Sequence, residues 1–230
     1  MTVPAWLTII SWTFLALALA SAAAITADIY LRGYRQHMKV MEAVWPITAL
    51  YFGPLALPAY LRWGRPMSHR AMEANGGDMP EKPFWAAVAV GSTHCGAGCT
   101  LGDLVAEWVV FAAGLQLAGF ALPVEYPFDY ALALGLGVLF QYFAIAPMRN
   151  LALGEGLKVA AKADFLSLSA FEVGLFGWMA IMQLVLFSSP HLTTDHAAFW
   201  FLMQIGMIVG FFTTYPMNWW LIRRGIKEAM

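Results

Sequence analysis

The stretch from Phe84 to Trp108, FWAAVAVGSTHCGAGCTLGDLVAEW, decides how this chain folds. It contains no Lys or Arg and is long enough to cross the hydrocarbon of a bilayer, which takes about 20 apolar residues in a helix. Yet it carries His94, both cysteines of the chain, and the carboxylates Asp103 and Glu107. Ionisable groups and thiols at membrane depth are costly, so by default they mark function.

Advancing 100° per residue puts Gly91, Ser92, Cys95, Gly98, Cys99, Gly102, Asp103 and Ala106 on one helix face. Leu101, Leu104 and Trp108 fall on the opposite face. In lipid the small face packs against neighbouring helices, with Gly91, Gly98 and Gly102 as packing positions, and the bulky face meets acyl chains. Trp85 and Trp108 stand about 34 Å apart along such a helix and fit a pair of interfacial anchors. Cys95 and Cys99 then sit near the membrane midplane, with Asp103 and Glu107 toward the outer side.

Composition widens this reading to the whole chain. Of 230 residues, 60% are hydrophobic and 12% charged, with a mean hydropathy of +0.65. Soluble domains carry about 25% charged residues. A net charge of −1 gives no sign of nucleic-acid binding. Two cysteines in one short run do not make a disulfide framework.

Besides Phe84–Trp108, five segments approach the length of a span: Ala5–Ala27, Ala43–Leu61, Ala131–Met148, Phe165–Phe187 and Ala198–Ile222. The expected fold is all-α, an integral membrane bundle of about six transmembrane helices in a single domain. The first segment lacks a basic leader and is read as a membrane helix rather than a signal peptide. Arg62, Arg65, Arg70 and Lys82, then Arg149, Lys158 and Lys162, then Arg223, Arg224 and Lys227 alternate with loops that hold only Glu125, Asp129, His191, Asp195 and His196. By the positive-inside rule both termini are expected in the cytoplasm. Arg32, Arg35 and Lys39 disagree: either that loop breaks the rule, or the second segment, with Pro46, Pro54 and Pro58, is re-entrant. Six full crossings are the favoured reading. Pro147-Met148 followed by Gly156-Leu157-Lys158 is echoed by Pro216-Met217 followed by Gly225-Ile226-Lys227, which suggests repeated two-helix hairpins. The tail at Arg223, Arg224 and Lys227 reads as an anchor at the lipid surface.

Three functions remain open. Thiolates and imidazole select soft cations, so His94, Cys95 and Cys99 suit Cu(I) or Zn(II) binding, with Asp103 and Glu107 lining an outward path. This makes a small permease or metal-handling protein the leading expectation, with copper or zinc as the implied ion. Glu172 is a secondary candidate inside the fifth span, and His191, Asp195 and His196 are secondary candidates on an outer loop. The cysteine pair alternatively serves thiol–disulfide electron transfer, although cysteines four apart on a regular helix bridge poorly. The third reading is a non-catalytic subunit that packs through its glycine face, as a homo-oligomer or within a larger membrane complex. No HExxH, GxSxG, CxxCH or phosphate-binding glycine loop is present.

Three strings, VMEAVWPITALY at Val40–Tyr51, CGAGCTLGD at Cys95–Asp103 and YPMNWW at Tyr215–Trp220, resemble a bacterial family of multi-pass membrane proteins known as a conserved domain of unknown function. The resemblance runs from about residue 28 to the end. It implies a prokaryotic cytoplasmic-membrane protein and carries no activity with it.

Overall fold

The computed structural model describes residues 3–149 and 152–227, with no side chains described at 144–149 and 163. Among the described residues the chain is all-helical: α1 (Ala5–Tyr30), α2 (Met41–Phe52), α3 (Ala56–Ala59), α4 (His69–Ala74), α5 (Phe84–Ala113), α6 (Leu122–Arg149), α7 (Leu153–Ile181) and α8 (Ala197–Arg223). Five helical runs are long and apolar enough to cross a membrane: Ala5–Tyr30, Met41–Met67, Phe84–Ala113, Asp164–Leu186 and Ala197–Arg223. The chain is an all-α membrane bundle. Consecutive helices pack on one another, α1 on α2, α5 on α6, α6 on α7 and α7 on α8, and α8 also touches α1, α2 and α5.

The run Met41–Met67 does not proceed straight. At Gly53 the backbone takes φ +57, the chain breaks out of α2, and Pro54 opens a 3₁₀ turn. The segment then doubles back: Trp45 packs edge-on against Tyr60 at 5.7 Å, and a Cβ on Gly64 would lie 2.5 Å from the Trp45 ring. A continuous helix would hold residues 45 and 64 about 28 Å apart. Both ends of this hairpin meet the end of α1. Tyr60 donates to Asp28 at 2.9 Å, Arg65 pairs with the same carboxylate at 3.2 Å, and His37 donates its backbone N–H to Met67 O. The second apolar segment is therefore a hairpin rather than one straight helix, with its turn beside Phe14 of α1.

Leu7 of α1 shares a cluster with Met182, Leu192 and Phe199, so α1 starts where α8 starts. Ile25 and Ile29 cluster instead with Val44, Tyr60 and Val90, while Trp219 near the end of α8 packs on Phe84 at 4.7 Å. Helices α1 and α8 run in the same direction, so Ala5 and Arg223 lie at opposite ends of the bundle. Arg32 and Arg35 pair with Asp28 and Glu42 at the end that also holds Arg65, Arg70 and Arg223. All 13 Lys and Arg residues belong to segments that start, end or turn at this one end.

Helix α5 follows Pro83 and stops at Gly114, whose φ of +63 provides a left-handed cap. Helix α6 begins at Leu122, with Pro123 in its first turn, well ahead of the expected start at Ala131. Glu125 and Asp129, expected in an outer loop, are thereby drawn into the bundle and are buried. Helices α5 and α6 approach closely because small residues face each other. A Cβ on Gly98 would lie 2.8 Å from the Gly137 Cα, and one on Gly102 would lie 2.5 Å from the Ala133 backbone nitrogen. Gly91 has open space instead. The proposed echo at Pro147-Met148 falls on side chains outside the described ones. Its partner lysines differ, Lys158 being exposed and Lys227 buried.

Candidate functional site

The polar face of α5 looks inward along its length: Ser92, His94, Cys95, Cys99, Asp103 and Glu107 are all buried, while Leu104 and Trp108 are exposed to the lipid side. Helices α6, α7 and α8 close over this face. It divides into two halves of different chemistry.

The half nearer the basic end is a closed hydrogen-bond network. After α8, Gly225 at φ +67 turns the chain back, and Ile226 and Lys227 donate their backbone N–H groups to Leu221 O. The Lys227 ammonium enters the bundle and donates to Asp164 Oδ1 at 3.2 Å, Ser167 Oγ at 3.2 Å and Cys95 Sγ at 3.3 Å, which uses its three protons. Cys95 in turn donates to Asp164 Oδ1 at 3.1 Å. Ser167 donates to Asn218 at 2.6 Å, and Asn218 donates to Ser92 at 2.8 Å. Four elements, α5, α7, α8 and the tail, are thus tied by side chains that are all buried. Lys227 is no lipid-surface anchor. Arg223, in contrast, is exposed, its guanidinium lying over Trp219 at 5.2 Å.

The other half is acidic. Asp103, Glu107, Asp129 and Glu172 are 0–1% exposed, and among the described residues none of their carboxylate oxygens makes a hydrogen bond of good geometry, the Cys99 thiol and the Thr194 hydroxyl only approaching Glu172 and Glu107. Asp103 lies within electrostatic reach of Glu172, Asp129 and Glu107, and Glu107 within reach of Asp129 and Glu125. Cys99 faces Glu172 at the inner end of this column. Ser169, three residues before Glu172 on α7, bonds Phe165 O and Tyr130 rather than that carboxylate. An ionised carboxylate alone in an apolar interior costs on the order of tens of kcal/mol, so this column needs protons or another cation for charge balance.

The remaining sequence candidates are dispersed. His94 is buried beside Lys227 and Asp164 with neither ring nitrogen bonded. His191 Nδ1 sits 3.0 Å from Gln183 O and its ring lies against Phe120. His196 pairs with Asp195 at 3.0 Å on the exposed outer loop. Among the described residues no three of His, Cys, Asp and Glu are placed to hold a metal ion together. Cys95 and Cys99 are both free, and α5 stays regular through Gly96 and Gly98. Gly96 is needed for another reason, since a Cβ there would collide with the Tyr51 hydroxyl at the hairpin tip.

Sequence reading missed Asp164, Lys227, Asp129 and Glu125 as interior residues. Asp164 and Glu172 had a signal: eight positions apart, they fall on one face of α7. Lys227 had none, because only the tail's return brings it inside.

Residues 84–227, covering α5 to α8 and the returning tail, match a family described as a domain of unknown function, DUF4396, and the chain belongs to that family. The match therefore spans both halves of the polar interior and leaves out α1 and the hairpin. No curated protein and no solved structure matches the chain.

Proposed function

We propose that this chain is a small cation permease of a bacterial cytoplasmic membrane, in which the acidic column carries positive charge through the bundle. The observation that carries the reading is the set of four buried, unpartnered carboxylates, Asp103, Glu107, Asp129 and Glu172, on three adjoining helices. Carboxylates at membrane depth that face a bundle interior serve ion pathways and proton relays. The basic end is cytoplasmic in this reading. It places the Arg223 end of α8 inside and the Ala5 end of α1 outside.

Purified protein in liposomes with an entrapped pH indicator tests the column. Wild type dissipates an imposed proton gradient, and Asp103→Asn and Glu172→Gln slow this by about tenfold or more. Equal rates in wild type and both variants overturn the reading. Soft-cation cargo is a second reading, favoured by the thiol of Cys99 beside Glu172. Uptake of Cu(I) or Zn(II) that falls with Cys99→Ser supports it, and uptake indifferent to that change removes it.

A further inference from the structure

The hairpin reaches only part of the way along α1, and it leaves a cavity beyond its tip. The cavity has a volume of about 470 Å³ and lies between α1, α5, α8 and the loop before α8. This is the size of small-molecule sites, about 300–1,000 Å³. Leu50 and Tyr51 of the hairpin form its floor. Its walls are apolar and aromatic, with Trp12 from α1, Trp108 from α5 and Trp200 from α8. Trp108 and Trp200 stack at 6.0 Å, and Trp12 is 63% exposed on the lipid side, so the cavity has a wall open to the bilayer.

The polar groups in this apolar space are unusual in one respect. Asp103 lines the cavity, is fully buried, and has no partner on either oxygen. Gln204 offers an unpartnered carbonyl oxygen and Tyr51 an unpartnered hydroxyl. These groups are acceptors, or in the case of Tyr51 able to accept, and nothing in the lining is cationic. The rim carries a second carboxylate, Asp195, which the Thr193 hydroxyl holds below the usual carboxylate range. A ligand that satisfies the cavity therefore brings positive charge and apolar bulk together. Tryptophan faces are the best aromatic partners for a cation, worth about 0.5–2 kcal/mol each.

We propose that this cavity is a binding site for a lipophilic organic cation, an ammonium or phosphonium bearing apolar groups, with Asp103 as counter-charge and the three tryptophans as packing surface. The proposal rests on the cation-permease reading through Asp103 and names a cargo class for it.

Binding of tetraphenylphosphonium to the full chain in nanodiscs, measured by equilibrium dialysis against empty nanodiscs, tests the site. Tetraphenylborate has the same shape and the opposite charge and needs no variant. Saturable binding of the phosphonium, at least about tenfold tighter than the borate, is the expected result. Asp103→Asn lowers phosphonium affinity by about tenfold, and Trp200→Ala by several-fold, with the helical circular dichroism of each variant unchanged. Equal binding of the two ions to wild type, or undiminished binding to Asp103→Asn, overturns the proposal. Proton flux without phosphonium binding leaves the acidic column standing and removes only this cargo. Binding without flux leaves the site standing and removes the permease reading.

Discussion

The two halves of the interior polar face use similar residue types to opposite effect. Near the basic end, a carboxylate, a thiol and an ammonium are bonded to one another and to two serines and an asparagine, with His94 unbonded beside them. Toward the other end, carboxylates from α5, α6 and α7 share a space with no ammonium or guanidinium among the described residues. The first arrangement fixes four elements in one geometry. The second stores an electrostatic demand that only an incoming positive charge meets. Buried polar groups that are satisfied specify structure, and those left unsatisfied mark function.

The sharpest way to break this contrast is to remove Lys227. Lys227→Met leaves Asp164 charged with only the Cys95 thiol as a partner, and loss of one partner of a buried pair costs about 3–5 kcal/mol. Unfolding in detergent with increasing denaturant measures it. The double variant Asp164→Asn/Lys227→Met removes both charges and recovers a large part of the loss. If the single and double variants are equally unstable, the inner half is not held by charge matching.

A smaller effect tests the α5–α6 contact that carries both halves. Gly102→Leu pushes a side chain into the Ala133 backbone and costs about 1–3 kcal/mol or more. Asp103→Asn and Glu172→Gln, in contrast, sacrifice no hydrogen bond and shift stability by no more than about 1 kcal/mol in either direction. A loss as large as that of Lys227→Met would show that the acidic half is structural after all. The smallest effect belongs to Gly91→Ala, where nothing lies within 4 Å of the new methyl group. It leaves stability unchanged or raises it by up to about 1 kcal/mol through helix propensity.

How much of this was legible follows from where each signal resides. The polar face of α5 is a property of one helix and its period, so Cys95, Cys99, Asp103 and Glu107 could be placed together from spacing alone. Their partners come from other helices, and no local pattern pairs Cys95 with Asp164 across 69 residues or Asp164 with Lys227 across 63. The hairpin was half-visible. The three prolines and the mismatch of Arg32 and Arg35 with the alternating charge pattern left a broken second segment open as an alternative. What decides it is Gly53, whose positive φ is a tertiary outcome rather than a sequence motif. Glu125 and Asp129 were misplaced because carboxylates ahead of an apolar run look like loop residues. In this fold α6 starts early and carries them inside.

The bond between Lys227 and Asp164 also has a place in time. Asp164 is added to the chain 63 residues before its ammonium partner. At about 5–20 residues per second, that is a delay of several seconds. Until then the Cys95 thiol is the partner at hand for this carboxylate, and the three bonds of the Lys227 ammonium to α5 and α7 close only once the tail has been made.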